Sequence, residues 1–258
     1  MKRKEFDGIG LWQFDRLSDE PSIRHFVSDR NSNGHGKPFT LSFSSTPDKE
    51  EVRQNRKLLA RAMKVADDQL YFPSQVHLTR IVHVTPESKP ADLLETDALI
   101  TAHKDVCIAV MSADCVPILL YDKAQQVIAA IHSGWRGTVA KILERTLHEM
   151  QRQYGTRGRD VLAAIGPSVS QDAYEVGSEV IEAVNASFGT NQDLFIAGDA
   201  GKARLDLWKA NAIQLKSFGV PDVNIEIAGL CTVTDNNHFF SARKGDAGRF
   251  AGGISLMS

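Results

Sequence analysis

Apolar residues gather into short runs through the middle of the chain and into helical stripes on either side of it. The opening third carries two short apolar segments, 9–12 and 23–27, then a loop over 29–37 rich in turn formers. Residues 38–43 alternate apolar and polar and read as a strand. Thr46-Pro47-Asp48 reads as a helix start, with a hydroxyl cap, a proline at the first helical position and Asp48, Glu50 and Glu51 in the first turn. Val52, Leu58, Leu59 and Met63 then recur at helical spacing through about Asp67. The middle reads as β: 76–84, 98–101, 107–111, 118–121 and 127–131 are apolar runs bounded by Asp, Pro or Gly. A helix over 138–153 follows, its stripe made of Val139, Ile142, Leu143, Leu147 and Met150. Residues 161–165 read as a buried strand, 178–188 and 206–218 as helices, the latter closed by Gly219, and 225–228, 239–242 and 254–257 as strands. Strands and helices interleave without a strict βαβ rhythm, and no linker divides them. The pattern predicts a mixed α/β sandwich, one catalytic domain over residues 1–258, rather than a doubly wound parallel sheet.

Composition narrows the function classes. With 42% hydrophobic and 24% charged residues the chain is long enough for a real core and is not globally disordered. A net charge of −2 supplies no basic field for a nucleic-acid backbone, so no nucleic-acid partner is expected. No run approaches the ~18 consecutive apolar residues of a membrane span, so no membrane partner is expected either. The basic residues at 2–4 are not followed by an apolar stretch, which argues against a signal peptide. Three cysteines at no disulfide-scaffold spacing point to a reducing, cytoplasmic setting where thiols stay free for metals or nucleophilic chemistry.

Candidate chemistry collects where apolar runs end. A free cysteine is by default a small buried hydrophobe, and Cys107, inside its run, reads as core. Cys231 fits either reading. Around Cys115 the neighbours matter: Pro117 is expected to interrupt the ladder and restrain Val116 to extended geometry, leaving Cys115 on irregular backbone beside Asp114. Asp114 reads as a turn cap before a ligand-orienting group. His132 ends the run over 127–131, and Gly134 and Gly137 bracket Trp135 and Arg136, which offer a stacking face and an anion clamp. His77 reads as a mid-strand residue, with Gln75 and Thr79 on the same side. One thiolate and two imidazoles from Cys115, His77 and His132 suit zinc and leave the fourth tetrahedral position for water or substrate. Their separations of 38 and 17 positions match no zinc-finger spacing, and the same residues allow a metal-free Cys–His nucleophilic pair. His25, His83, His103, His148 and His238 read as surface or satisfied residues, and His35 sits in a loop placed to cap a pocket. The phosphate-binding, metalloprotease and α/β-hydrolase fingerprints are absent from the sequence.

Several short motifs appear in a telling order: Ser-Gln-Val-His77, Thr-Asp97-Ala-Leu-Ile-Thr, Ser-Ala-Asp-Cys115-Val-Pro-Ile-Leu and His132-Ser-Gly-Trp-Arg-Gly. Ala-Ile-Gly166-Pro-Ser, Tyr174-Glu-Val-Gly, Asp206-Leu-Trp-Lys-Ala-Asn and the tail from Phe239 through Arg243 to Arg249 complete the series. Over about residues 39–257 the chain resembles the YfiH/YlmD-type family, labelled multicopper polyphenol oxidase or laccase and also called purine nucleoside phosphorylase or peptidoglycan editing factor. The resemblance implies a single α/β sandwich distantly like the catalytic domain of a cysteine deamidase toxin. It implies a zinc-type site at His77, Cys115 and His132, which would also be the catalytic residues. The implied activities are phosphorolysis of adenosine, inosine and methylthioadenosine, and hydrolytic deamination of adenosine. Its partners would be a nucleoside and phosphate, with Arg136 and Arg243 as candidate substrate contacts. Copper is the weaker metal assignment, because one cysteine and two histidines make a mononuclear site and not a laccase cluster. Three alternatives stay open: a Cys–His amidase editing peptidoglycan precursors, a copper polyphenol oxidase, and a partner-binding protein without enzymatic activity. The chain departs from its relatives at Ser133, where Ala is common, in the tail over 241–246, and at Val233.

Overall fold

A computed structural model of the chain describes residues 1–33, 36–190 and 192–258. His35 therefore lies outside the described residues. The chain opens with β1 (Lys2–Phe6), β2 (Ile9–Gln13), the one-turn helix α1 (Asp15–Ser18) and β3 (Ile23–Ser28). Helix α2 (Lys49–Met63), β4 (Leu70–Tyr71) and β5 (Ile81–His83) follow. The middle supplies β6 (Ala98–Thr101), β7 (Cys107–Ser112), β8 (Val116–Asp122), β9 (Val127–Ser133), helices α3 (Trp135–Val139) and α4 (Ile142–Tyr154), and β10 (Val161–Ile165). The last third carries β11 (Glu175–Val176), α5 (Ser178–Phe188), β12 (Phe195–Ala197), β13 (Ala203–Leu205), α6 (Leu207–Ser217), β14 (Ile225–Ile227) and β15 (Phe250–Leu256).

Two six-stranded mixed sheets, β1-β2-β3-β15-β7-β4 and β14-β10-β8-β9-β6-β5, stack face to face, and a small third sheet runs β11-β13-β12. Period-two alternation sorts the middle strands between two cores. Leu119, Tyr121, Ile128 and Ala130 of the second sheet share one cluster with Ile108, Val110 and Ile254 of the first. The alternate residues Ile118, Leu120, Ala129 and Ile131 pack instead with Leu143, Leu147 and Leu215 of α4 and α6. On the far side of the first sheet Phe26, Ala109 and Ala251 meet Leu59 and Met63 of α2. Both faces of the central strands are thus covered, which is why β8 and β9 read as nearly unbroken apolar runs. The mixed α/β sandwich expected from the sequence is the fold observed. No helix among the described residues is long and apolar enough to cross a membrane.

Several local expectations need correction. The helix after Thr46 begins at Lys49, with Asp48 as cap accepting from the Glu51 N–H, and ends at Met63, where Lys64 turns left-handed. The helix expected over 138–153 is two, α3 starting at Trp135 and α4 at Ile142, divided by left-handed Lys141. Residues 38–43 form no strand: Arg30 and Arg249 carbonyls take the N–H groups of Phe39 and Leu41, and the Asn55 and Arg56 side chains take the carbonyls of Thr40 and Leu41. Residues 239–242 are likewise turn and one-turn helix, because the Phe239 N–H bonds Asp235 and the Ser241 N–H bonds the Asp246 carboxylate. The strand expected over 76–84 shrinks to β5. Pro117 does not interrupt its ladder: it pairs with His132 between β8 and β9 and accepts from the Gly166 N–H.

Candidate active site and metal centre

Cys115 lies where the chain passes from β7 in one sheet to β8 in the other, so the bend at 113–115 bridges the open end of the sandwich. That bend, rather than a proline break, puts Cys115 on irregular backbone as the sequence led one to expect. Asp114 holds the bend with φ +89°, its carboxylate accepting from the Thr232 hydroxyl at 2.6 Å and the Arg243 N–H at 2.8 Å. The carboxylate thus ties the bend to the segments at 232 and 243 rather than capping its own turn. The Ser112 hydroxyl donates to the Cys115 carbonyl at 2.5 Å and closes the turn.

His77 is not a mid-strand residue. It sits at φ +63° in a loop whose N–H groups at Val76, His77 and Leu78 all converge on the Asp97 carboxylate, at 3.1, 3.0 and 2.9 Å. Gln75 ties the same loop to β7, its amide bonding both the Met111 carbonyl and N–H at 2.8 Å. Asp97 is fully buried and also accepts from His132 Nδ1 at 2.8 Å, while its own carbonyl accepts the His132 N–H. One carboxylate thereby fixes the backbone of one histidine and the ring of the other. Its part was invisible in the sequence, where it lies 20 positions from His77 and 35 from His132.

The sequence-distant trio comes together. The ligating atoms of His77, Cys115 and His132 all lie within 4.8 Å of one another, graded from exposed His77 through half-buried Cys115 to buried His132. The two imidazole rings stand edge to face with centroids 4.8 Å apart. A Cβ on Gly134 would fall 2.8 Å from the Cys115 sulfur and 3.2 Å from the His77 ring, so only glycine lets this backbone close on the cluster. Tetrahedral zinc with one sulfur and two nitrogen ligands spaces those atoms by roughly 3.5 Å, within reach of small side-chain adjustments. The Asp97 bond to Nδ1 leaves Nε2 as the ligating nitrogen of His132, the orientation a carboxylate–histidine–metal arrangement requires. Donor chemistry, distances and orientation fit a mononuclear metal; they do not by themselves choose zinc over copper.

Electrostatics reinforce the cluster. Burial would raise the Cys115 thiol, but His132 and His77 beside it bring it down to about 6. Burial would lower His132, yet the Cys115 thiolate and Asp97 lift it to about 9. Burial opposes ionisation of Asp97, and its bonds from His132, Leu78 and Val76 still hold it below the ordinary carboxylate value. In metal-free protein the thiolate–imidazolium pair therefore exists between about pH 6 and 9. Alkylation of Cys115 by iodoacetamide should accelerate as pH rises through about 6, where an ordinary thiol would wait until near 9. Peptide mapping checks this, and a midpoint near 9 would remove the ion pair. Buried Cys107, its thiol pushed up by burial, serves as the internal silent control.

The cluster lines a cavity of about 480 Å³ with Ser74, Gln75, Asp114 and Arg249 also on its wall. A second chamber of about 650 Å³ shares Ser42, Ser44, Pro73, Ser74 and Met111 with it. Both volumes fall in the small-molecule range of roughly 300–1,000 Å³. Arg136 and Arg243 are not on the wall of the first cavity. Arg136 is exposed and lies over the Trp135 ring at 4.3 Å; Arg243 lies over Tyr174 at 4.7 Å and donates to the Glu175 carbonyl. Tyr174, raised to about 12 by burial and by the Cys115 charge, stays protonated. Ser133 bonds Asn211 and Thr138 at 2.9 Å and so links β9 to α3 and α6. Sequence reasoning missed Asp97, Gln75 and Arg249. The motifs contained them, but only the folded loops show what they touch.

Comparisons with known proteins bear on the family and the fold. A family model described as multi-copper polyphenol oxidoreductase laccase matches residues 24–257. A purine nucleoside phosphorylase of Bacteroides thetaiotaomicron is 39% identical over 256 residues, covering 94% of this chain and 95% of its own. Adenosine deaminase RL5, from an unknown prokaryotic organism, is 38% identical over 201 residues, covering 75% of this chain and 76% of its own. The crystal structure of the hypothetical protein YfiH from Bacillus licheniformis superposes with a TM-score of 0.87 at 26% identity, covering 97% of each chain.

Proposed function

Because the chain belongs to the multi-copper polyphenol oxidoreductase laccase family, whose relatives here are named for purine nucleosides, we propose that it is a metal-dependent purine nucleoside enzyme. Its reactions are phosphorolysis of adenosine, inosine and methylthioadenosine, and hydrolytic deamination of adenosine. The observation that carries the catalytic part is the convergence of His77, Cys115 and His132 on one cavity wall. These three residues hold zinc, which when bound supplies Lewis acidity and lowers the pKa of water near neutral pH. The thiol that falls to about 6 is a ready anionic ligand, and Asp97 keeps the proton of His132 on Nδ1 so that Nε2 is available. Arg136 and Arg243, stacked on Trp135 and Tyr174, are the outer substrate contacts. Free thiols at all three cysteines suit a cytoplasmic setting.

Product analysis tests the reading. Wild-type protein incubated with adenosine should release adenine only when phosphate is present, and inosine with or without it. Neither product from folded, zinc-loaded protein would sink the assignment.

A second reading has one specific observation in its favour. Cys115, His132 and Asp97 are linked as a thiol, a base and a carboxylate that orients the base, the arrangement of a cysteine amidase. Chelation separates the two readings. A thiol amidase acting on peptidoglycan precursors keeps its activity without metal, whereas the nucleoside enzyme loses it.

A further inference from the structure

Phosphorolysis needs a place for inorganic phosphate, and the cavity wall holds one built cation apart from the ligating histidines. Arg249 is the sole lysine or arginine lining this cavity among the described residues. It directly precedes β15, a central strand of the first sheet, and its backbone is pinned on both sides: its N–H donates to Thr40 and its carbonyl accepts from Leu41. One guanidinium nitrogen, Nη1, donates to the carbonyls of Asp246, Ala247 and Gly248, at 3.3, 2.8 and 2.7 Å. No carboxylate among the described residues pairs with it, and Nε and Nη2 have no partner there. Those two N–H groups share one edge of the planar group, the edge that meets two oxygens of a phosphate side by side. Asp114 lies on the same wall, but its carboxylate is committed to Thr232 and the Arg243 N–H. Ser42 and Ser44, whose hydroxyls bond each other at 2.8 Å, bring further donors to the cavity.

We propose that Arg249, with the Ser42 and Ser44 hydroxyls, is the subsite for inorganic phosphate. This rests on the nucleoside reading for its chemistry. A phosphate oxygen bonds to ribose C1′ as the C1′–N9 bond breaks. The electron pair leaves on N9, which takes a proton, and the products are free purine and ribose 1-phosphate. Deamination uses water in place of phosphate, so Arg249 serves one reaction and not the other.

The test compares wild type, Arg249→Gln and Arg249→Lys as metal-loaded proteins. KM for phosphate in adenosine phosphorolysis should rise at least ~10-fold in Arg249→Gln, and the ratio of phosphorolysis to deamination should fall with it. Arg249→Lys keeps the charge but not the two-pronged edge, and should raise KM severalfold. Titration calorimetry with inorganic phosphate alone reads the same site without any nucleoside, and should show the same order of affinities. If Arg249→Gln loses the 246–248 turn and does not fold, the lysine variant carries the comparison. Unchanged phosphate affinity in the folded variants, or no phosphate binding by wild type, overturns the subsite. Phosphate binding that depends on Arg249 in a protein that does not turn over adenosine would instead support the subsite and remove the nucleoside reading.

Discussion

On the nucleoside proposal, replacing Cys115 with alanine should lower product formation from adenosine by at least ~10³-fold and abolish metal binding, a loss of about 4 kcal/mol or more in transition-state stabilisation. The size follows from the donor set. Cys115 is the sole sulfur among the clustered atoms, and without it two imidazoles remain, one of them exposed. With Asp97 it also supplies the negative charge that lifts His132 to about 9, so in the variant His132 is raised by Asp97 alone and falls. Folding should suffer little, because the bend is held by Asp114 and Ser112 through backbone groups and not through the sulfur. Elemental analysis, chromatography of the products and a melting curve taken in chelator separate these effects. A variant that keeps both metal and turnover would move the active site elsewhere. One that loses metal but keeps turnover would leave the catalytic role of metal without support.

How far the sequence foretold this site depends on what holds each residue. The central strands were legible because both of their faces are buried, and a run such as 161–165 coincides with β10 to the residue. Strands β4 and β11 to β13, two or three residues each, are too short for any periodicity to emerge, while β14 falls inside the run expected over 225–228. Residues 38–43 and 239–242 deceived for a different reason. Residues 39–42 and 239–241 are buried, with apolar side chains among them as in strands, but side chains and turns satisfy their backbone, as Asn55 and Arg56 do for Thr40 and Leu41. His77 shows the same limit at the site itself. Its neighbours suggested a strand, while its conformation is dictated by a carboxylate on another element. The members of the candidate cluster were therefore readable from residue type and motif order, and the conformation that brings them together was not. The phosphate-side candidates divide in the same way. Arg136 was conspicuous between two glycines yet stacks on its neighbour Trp135, whereas Arg249 stood at the end of a long tail motif and lines the cavity.

Asp97 is where stability and chemistry come apart most usefully. Asp97→Ala leaves the N–H groups of the exposed residues Val76, His77 and Leu78 without their acceptor, and leaves the buried His132 Nδ1 unpaired. The expected cost is about 3–5 kcal/mol of folding stability, since breaking the buried Asp97–His132 pair leaves the imidazole uncompensated. Asp97→Asn is the sharper experiment. The amide keeps one acceptor oxygen of nearly the same shape, so much of the loop around His77 survives. Facing His132, however, an NH₂ group donates where a carboxylate accepted, and the imidazole must shift its proton from Nδ1 to Nε2. That nitrogen is the one required for the metal. Asp97→Asn should therefore melt closer to wild type than Asp97→Ala does, yet bind zinc about 10–100-fold more weakly, with turnover falling in parallel. Competition with a chromophoric chelator gives the affinity, and thermal unfolding in metal-free buffer gives the stability. If Asp97→Asn binds zinc as wild type does, Asp97 merely supports the loop. If its affinity falls while its metal-free stability stays near wild type, the carboxylate acts on the site by fixing which nitrogen of His132 carries the proton.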